Sequence, residues 1–308
     1  MEVGKYKYKL IVNSNSIEVF EYHDEKNFIS KDGEIDDIDY RMKFGMKKDI
    51  KHSIQRIVDD DTGEIIEKKL NELSSLDDKL EYNLINANEY NERKLKSLKD
   101  SRRRAITELR RKIDNNLHAW GEKPKFITLT YSYQEEDRER SYKHFKEFIK
   151  KLNYHMAKTF DQKKKQWLKW VAVIEHQKNG RIHYHTLFFN LPFVKFETFD
   201  KCWTYGRYDL KAVDTSKDNR KLIKYLLKYI VKEQAEDNEK SIKEGKLIAE
   251  NKRFYLSSKG LLKEKEVLLT GDEEELLKSI IGDYDLQFEK SFNNKFTGEV
   301  MYKQYYKD

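Results

Sequence analysis

The chain has one cysteine, Cys202, among 308 residues. That excludes a disulfide framework and any zinc site needing several thiolates, and it fits a reducing compartment. A metal here must be held by histidines and carboxylates. The sequence also has no uninterrupted apolar run of the roughly 18 residues that a membrane helix needs. Residues Met1 to Leu10 alternate Lys and Tyr where a secretion signal would be continuously apolar. A cytoplasmic protein with no membrane partner is therefore expected. The pattern Gly-x-x-x-x-Gly-Lys-Ser/Thr is absent too, so nothing suggests an ATPase or helicase module. No repeat or low-complexity tract is present.

What the chain does have is charge and aromatic rings. Lys and Arg number 62 against 55 Asp and Glu, a formal charge of +7, and charged residues make up 38%. Mean hydropathy is −0.94, yet aromatics reach 13%, a combination that disordered polyelectrolytes lack. The pI near 8.9 points towards polyanion partners. Basic residues gather at Arg102, Arg103, Arg104, Arg110, Arg111 and Lys112, while Glu34 to Asp61 is rich in Asp and Glu. By itself such a basic run is an ordinary solvated helix face.

The pattern of residues predicts an α+β chain. Lys5 to Val12 and Ile17 to Tyr22 are β-prone runs around Asn13-Ser14-Asn15-Ser16, which predicts a hairpin. Asp24 to Asp61 is polar and mixed and is expected to be partly mobile. Glu64 to Leu117 lacks Pro and Gly and predicts helix, broken near Ser74-Ser75. Leu95, Leu98, Ile106, Leu109 and Ile113 mark its packed stripe. After Gly121 and Pro124, Phe126 to Tyr131 predicts a strand, about Glu136 to Leu152 a helix, and Trp170 to Glu175 with Ile182 to Phe189 a hairpin. A helix over Ser216 to Gln234, a short helix near Glu273 to Ile281 and two closing strands complete the expectation. Three regions follow: 1–119, a hairpin with a basic helical region; 120–260, a catalytic core; and 261–308, a C-terminal helix and strands.

Two constellations could carry chemistry. His183 and His185, two apart on a predicted strand, project from one sheet face, as two metal ligands would. Glu175 on the preceding strand could add the oxygen ligand that Mg²⁺ or Mn²⁺ prefers. An odd loop of three or five residues centred on Asn179 places Glu175 opposite His183, and this is the expected register. A two-residue Asn-Gly turn would place Glu175 opposite Tyr184 and make His176 the competing ligand. The second constellation is helical. Tyr225 and Tyr229 lie one turn apart, with Lys228 three residues after the first and Lys232 three after the second. A phenol, with a reference pKa near ~10, needs such a cation or a metal to act as a nucleophile. Leu222, Tyr225, Leu226 and Tyr229 would equally make the buried stripe of an ordinary amphipathic helix.

Taken in order, the Phe126-Ile-Thr-Leu-Thr-Tyr131 strand, the Glu175 and Gly180-Arg-Ile-His-Tyr-His185 hairpin, and Tyr225-Leu-Leu-Lys-Tyr-Ile-Val-Lys232 resemble the HUH endonucleases. The likeness is specifically to the rolling-circle replication initiators of bacterial plasmids and single-stranded DNA phages, and it spans roughly Lys125 to Lys232. Conjugative relaxases place their tyrosines before the histidine motif, whereas here they follow it. The resemblance implies an antiparallel, RRM-like sheet with the His-Tyr-His strand central and flanking helices. It implies Mn²⁺ or Mg²⁺ on His183, His185 and Glu175, and attack by Tyr225 or Tyr229 on single-stranded or hairpin origin DNA, with Lys228 stabilising the phenolate or leaving oxygen. It further implies a 5′-phosphotyrosine link, a free 3′-hydroxyl and later rejoining, with a host helicase and polymerase as partners. Arg181, Lys224, Lys232 and Arg207 are the expected DNA contacts. Lys163 to Lys165 with Trp167 and Trp170, and Arg207 beside Tyr205 and Tyr208, combine cations with aromatics as a single-strand groove does. The rival readings are a non-catalytic nucleic-acid binder on a similar sheet, another HUH enzyme (transposase or relaxase), and a hydrolytic metal nuclease that would leave no protein on the DNA.

Overall fold

The computed structural model describes residues 2–31, 34–37, 54–58, 65–69, 87–159, 167–177, 179–213, 223–228, 253–294 and 297–307. The fold is α+β with antiparallel sheets. The chain forms two compact units, Met1–Lys96 with Glu264–Asp308, and Ser97–Lys263.

In the first unit β1 (Glu2–Val12) and β2 (Ser16–Lys31) form the expected hairpin. Alternation drives it, because Tyr6, Tyr8 and Leu10 are buried between more exposed lysines. β3 (Glu34–Asp37) extends β2, while β4 (Ile54–Val58) and β5 (Ile65–Lys69) make a separate two-stranded sheet. Residues 65–69, expected to be helical, are therefore a strand. The β-branched pair Ile65-Ile66 sits opposite Val58 and Ile57, and that cross-strand pairing outweighs the weak helix preference of a short Glu/Lys stretch. Ser74-Ser75 lies outside the described residues. From the other end of the chain come β11 (Lys265–Leu269), β12 (Asp285–Asn294) and β13 (Gly298–Tyr306). The order β11-β1-β2-β13-β12 joins both ends of the chain in one sheet. Leu277 of the helix Glu274–Ile281 packs on Leu10, Ile17, Val19 and Leu269.

The second unit is a five-stranded antiparallel sheet, order β10-β7-β8-β6-β9. Its strands are β6 (Lys125–Tyr131), β7 (Trp170–His176), β8 (Ile182–Phe188), β9 (Gly206–Ala212) and β10 (Tyr255–Ser257). The His-Tyr-His strand, β8, is central. Helix α1 (Ala87–Asn116) contributes residues 97–116, followed by α2 (Arg138–Thr159), α3 (Phe196–Cys202) and α4 (223–228). One sheet face buries Ile127, Leu129, Ile174 and Tyr184 against Phe145, Phe148, Leu152 and Met156, the three- and four-spaced stripe of α2. Asp137 caps α2 by accepting the backbone N–H of Glu139 and Arg140. The other face packs Phe126, Val171, Val173 and Leu187 against Leu109 and Ile113 of α1 and Ile223 and Leu226 of α4. Asn116, fully buried, accepts the N–H of Leu262 at 2.9 Å and donates to its carbonyl at 3.0 Å, fixing the end of α1.

Candidate active site

Strand pairing builds the site. Gln177 N–H donates to the carbonyl of Arg181 and Gly180 N–H to that of Gln177, closing a turn of odd length around Asn179. Gly180 holds φ at +85°, and a Cβ there would meet the Glu136 carboxylate at 3.0 Å. Glu175 consequently lies opposite His183, and Val173 opposite His185. His176 falls opposite Ile182, on the alternate face. From β6, Thr130 and Thr128 stand opposite the two histidines, and β9 adds Arg207 and Asp209 beyond them. One face of the sheet thus carries Glu175, His183, His185, both threonines and Arg207.

His185 is held on both sides. Its Nε2 is 2.8 Å from Glu175 Oε2 and its Nδ1 is 3.3 Å from Thr128 Oγ1, an arrangement met by the Nε2–H tautomer with the threonine hydroxyl donating. His183 is only 7% exposed, and its Nε2 is buried without a hydrogen-bond partner. Burial, reinforced by His185 and by the charges of Arg181 and Arg207, pushes its pKa down to about 4 against the opposing pull of Glu175. At neutral pH this imidazole is uncharged and keeps a free lone pair.

Two imidazoles and a carboxylate on one face, one of them an orphaned buried nitrogen, suit a divalent cation in kind and placement. As they stand, Glu175 closes on His185, so a cation would replace that hydrogen bond. Among the described residues no group of three or more His, Cys, Asp or Glu side chains is arranged around a metal ion.

The tyrosine reaches this face through a ring that sequence reading passed over. Phe126 lies two residues before Thr128 on the same face of β6. It stacks on His185, centroids 6.0 Å apart and planes 15° apart, and meets Tyr225 edge-on at 5.5 Å. Tyr225 is 40% exposed, with Ile223 and Leu226 buried on either side of it in sequence. The Lys228 ammonium lies 4.1 Å from the centroid of its ring. A cation there favours the phenolate, whose charge spreads into the ring. Asp209, also unremarked in the sequence, is exposed and ion-paired with Lys211 at 2.8 Å.

The remaining expected residues separate. Arg181 is turned inward, donating to the Gln177 side chain at 3.1 and 3.3 Å and to the Tyr131 carbonyl, so it braces the turn. Arg207 and Lys224 are exposed. Tyr229, Lys232 and Lys163 to Lys165 lie outside the described residues. Tyr205 and Tyr208 do not flank Arg207 as stacking platforms. Strand alternation sends Tyr208 to the α2 side, where it bonds Asp200, and Tyr205 stacks on His144 at 3.9 Å and donates to Glu147.

Residues 124–234 match a family of replication-associated proteins, described under the name Replication-associated protein ORF2. The matched stretch begins at the strand carrying Phe126 and ends just past Lys232, so it encloses every histidine, carboxylate and tyrosine of the site. It supports kinship with replication initiators and a role in DNA replication. No curated protein and no solved structure matches the chain. No helix among the described residues is long and apolar enough to cross a membrane.

Proposed function

We propose that residues 124–234 are the nicking and joining centre of a rolling-circle replication initiator. The observation that carries this reading is the Phe126 contact, which ties Tyr225 to the face bearing His185, His183 and Glu175. A nucleophile and a candidate ion-binding set then share one surface.

The Tyr225 phenol would attack the scissile phosphate of single-stranded origin DNA in line with the bond to the 3′ oxygen. The tyrosyl O–P bond forms, the P–O3′ bond breaks, and the departing oxygen takes up the proton lost by the phenol. The products are a 5′-phosphotyrosine link and a 3′-hydroxyl, with no ATP consumed. Lys228 favours the phenolate from its position over the ring. Mn²⁺ or Mg²⁺ held by His183, His185 and Glu175 would supply Lewis-acid polarisation of the phosphate oxygens. Thr128 fixes the ring plane of His185, while Arg207 and Lys224 present cations for neighbouring phosphates. Tyr229, with Lys232 beside it, would take the second transfer that rejoins the displaced strand. The 3′-hydroxyl suits a host polymerase, and unwinding falls to a host helicase.

The test is incubation of the full chain with labelled single-stranded origin DNA and Mn²⁺ or EDTA, followed by a denaturing gel. A metal-dependent protein–DNA adduct is expected. Cutting without an adduct would indicate a hydrolytic nuclease, and binding without either would indicate a non-catalytic binder.

A further inference from the structure

On the opposite side of the sheet, between α2 and the β7/β10 edge, lies a cavity of about 610 Å³. That is within the roughly 300–1,000 Å³ range of small-ligand sites. Trp170 shares its strand face with Ala172 and Ile174, which pack towards α2, so the cavity and the His183/Glu175 face are separated by the sheet. The α2 wall is Tyr142, Lys146, Ile149, Lys150 and Asn153, one helical stripe in which rings and cations alternate. Across from it stand Trp170 and, from the segment around β10, Arg253 and Lys259.

Two features define what would fit. The first is charge: four cations line the cavity and no Asp or Glu does. Glu147 of α2 is engaged elsewhere, with Lys151 at 2.8 Å and with Tyr205. Among the described residues none of the four cations has a carboxylate partner, and Lys146 instead lies 5.3 Å from the Tyr142 ring centroid. The second is a preformed aromatic wall. Ser258 clasps the Trp170 backbone, accepting its N–H at 3.0 Å and donating to its carbonyl at 2.9 Å. Phe145 meets the indole edge-on at 5.2 Å and is itself stacked on Tyr184 at 4.4 Å. A half-buried indole so fixed loses little entropy when a flat ring settles on it.

We infer that this cavity binds a nucleotide, its base against Tyr142 and Trp170 and its phosphate against Lys146, Lys150 and Arg253. An acidic peptide would satisfy the cations but leave the aromatic wall unused. The nucleotide could be free or one residue of a single strand. The site does not depend on the tyrosine chemistry proposed for the other face, and much of it, Arg253 and Lys259 included, lies beyond the stretch matched by the replication-associated family.

The test is photo-cross-linking of the full chain to a 12-nucleotide strand carrying 5-iododeoxyuridine, with peptide mapping, alongside anisotropy measurements of affinity. Cross-links at Tyr142 or Trp170 are expected. The Lys146→Glu, Lys150→Glu variant, both sites being exposed, should bind about tenfold more weakly. Its salt dependence should flatten by roughly 0.7 in log–log slope per lost phosphate contact. A charge-neutral Lys146→Gln, Lys150→Gln pair with an unchanged melting temperature separates lost contacts from misfolding. Thymidine monophosphate that competes away the cross-link identifies a free nucleotide as the occupant. A cross-link that persists identifies a strand residue. Tyr225→Phe should leave the cross-link intact, so failure of the tyrosine chemistry reads separately. Cross-links confined to the β6–β9 face, unchanged affinity in both lysine variants, or competition by inorganic phosphate as strong as by thymidine monophosphate would overturn the inference.

Discussion

At the residue scale, Glu175 has two partners to choose between, and metal addition separates them. It now accepts from His185. If it also belongs to an ion site with His183, Mn²⁺ at roughly 100 times its dissociation constant should stabilise the protein by about 2.7 kcal/mol. That would raise the melting temperature by several degrees, and Glu175→Gln should remove the rise; scanning calorimetry with and without EDTA reads it. A second carboxylate is structural. Glu135 is fully buried, takes two bonds from Arg140 at 2.7 and 2.8 Å, and accepts the Asp137 N–H. The bonds from Arg140, ahead of all other favourable contacts, hold its pKa below the ordinary 4.5 although burial opposes them. With a depressed folded pKa, the stability Glu135 contributes is present above 4.5 and is lost as pH falls through the folded value. Glu135→Gln should cost about 2 kcal/mol at pH 7, and its deficit against the parent should shrink below pH 4.5, as denaturant melts across that range would show. The site residues were legible unevenly. His183, His185 and Glu175 could be placed on one face because a hairpin's register follows from loop parity. Phe126 could not, because its contact with His185 depends on which strand lies beside β8, and only the β6–β8 pairing settles that.

At the element scale, most strands and helices were visible as alternation or as three- and four-residue stripes, because each buries one face. The exception is instructive. Residues 65–69 carry a Pro-free, Gly-free, charged composition that suits a helix, but their two isoleucines find β-branched partners in β4. A partner distant in sequence decides the element, and composition within the segment cannot report it. Arg181 shows the same limit at a turn: its guanidinium serves Gln177 and the Tyr131 carbonyl rather than facing solvent. The end of α1 offers a quantitative check. Asn116→Ala would strip both hydrogen bonds from the Leu262 backbone and the bond from Trp120. A loss of about 3 kcal/mol is expected from leaving buried polar groups unpaired, measured by urea unfolding, with hydrogen exchange rising first around residue 262.

At the scale of the whole molecule, the two chain ends share a sheet. β13 lies between β2 and β12, with Val300 buried against Tyr6 and Tyr22. Truncation before Gly298 should therefore abolish protection of β1 and β2 in hydrogen exchange, while β6 and β8, whose partners lie within Ser97–Lys263, stay protected. The sequence made both terminal β regions visible but not their union, since pairing between strands from opposite ends of the chain leaves no local signature. The second unit holds the candidate chemistry, and its central claim is that a tyrosine on α4 becomes covalently joined to DNA. Mass spectrometry of the peptide from a nuclease-trimmed, metal-dependent adduct tests this most directly. A nucleotide phosphate on Tyr225, lost in Tyr225→Phe or transferred to Tyr229 in that variant, is the expected result. DNA cleaved on verified origin substrate with no phosphorylated tyrosine in either position would contradict it.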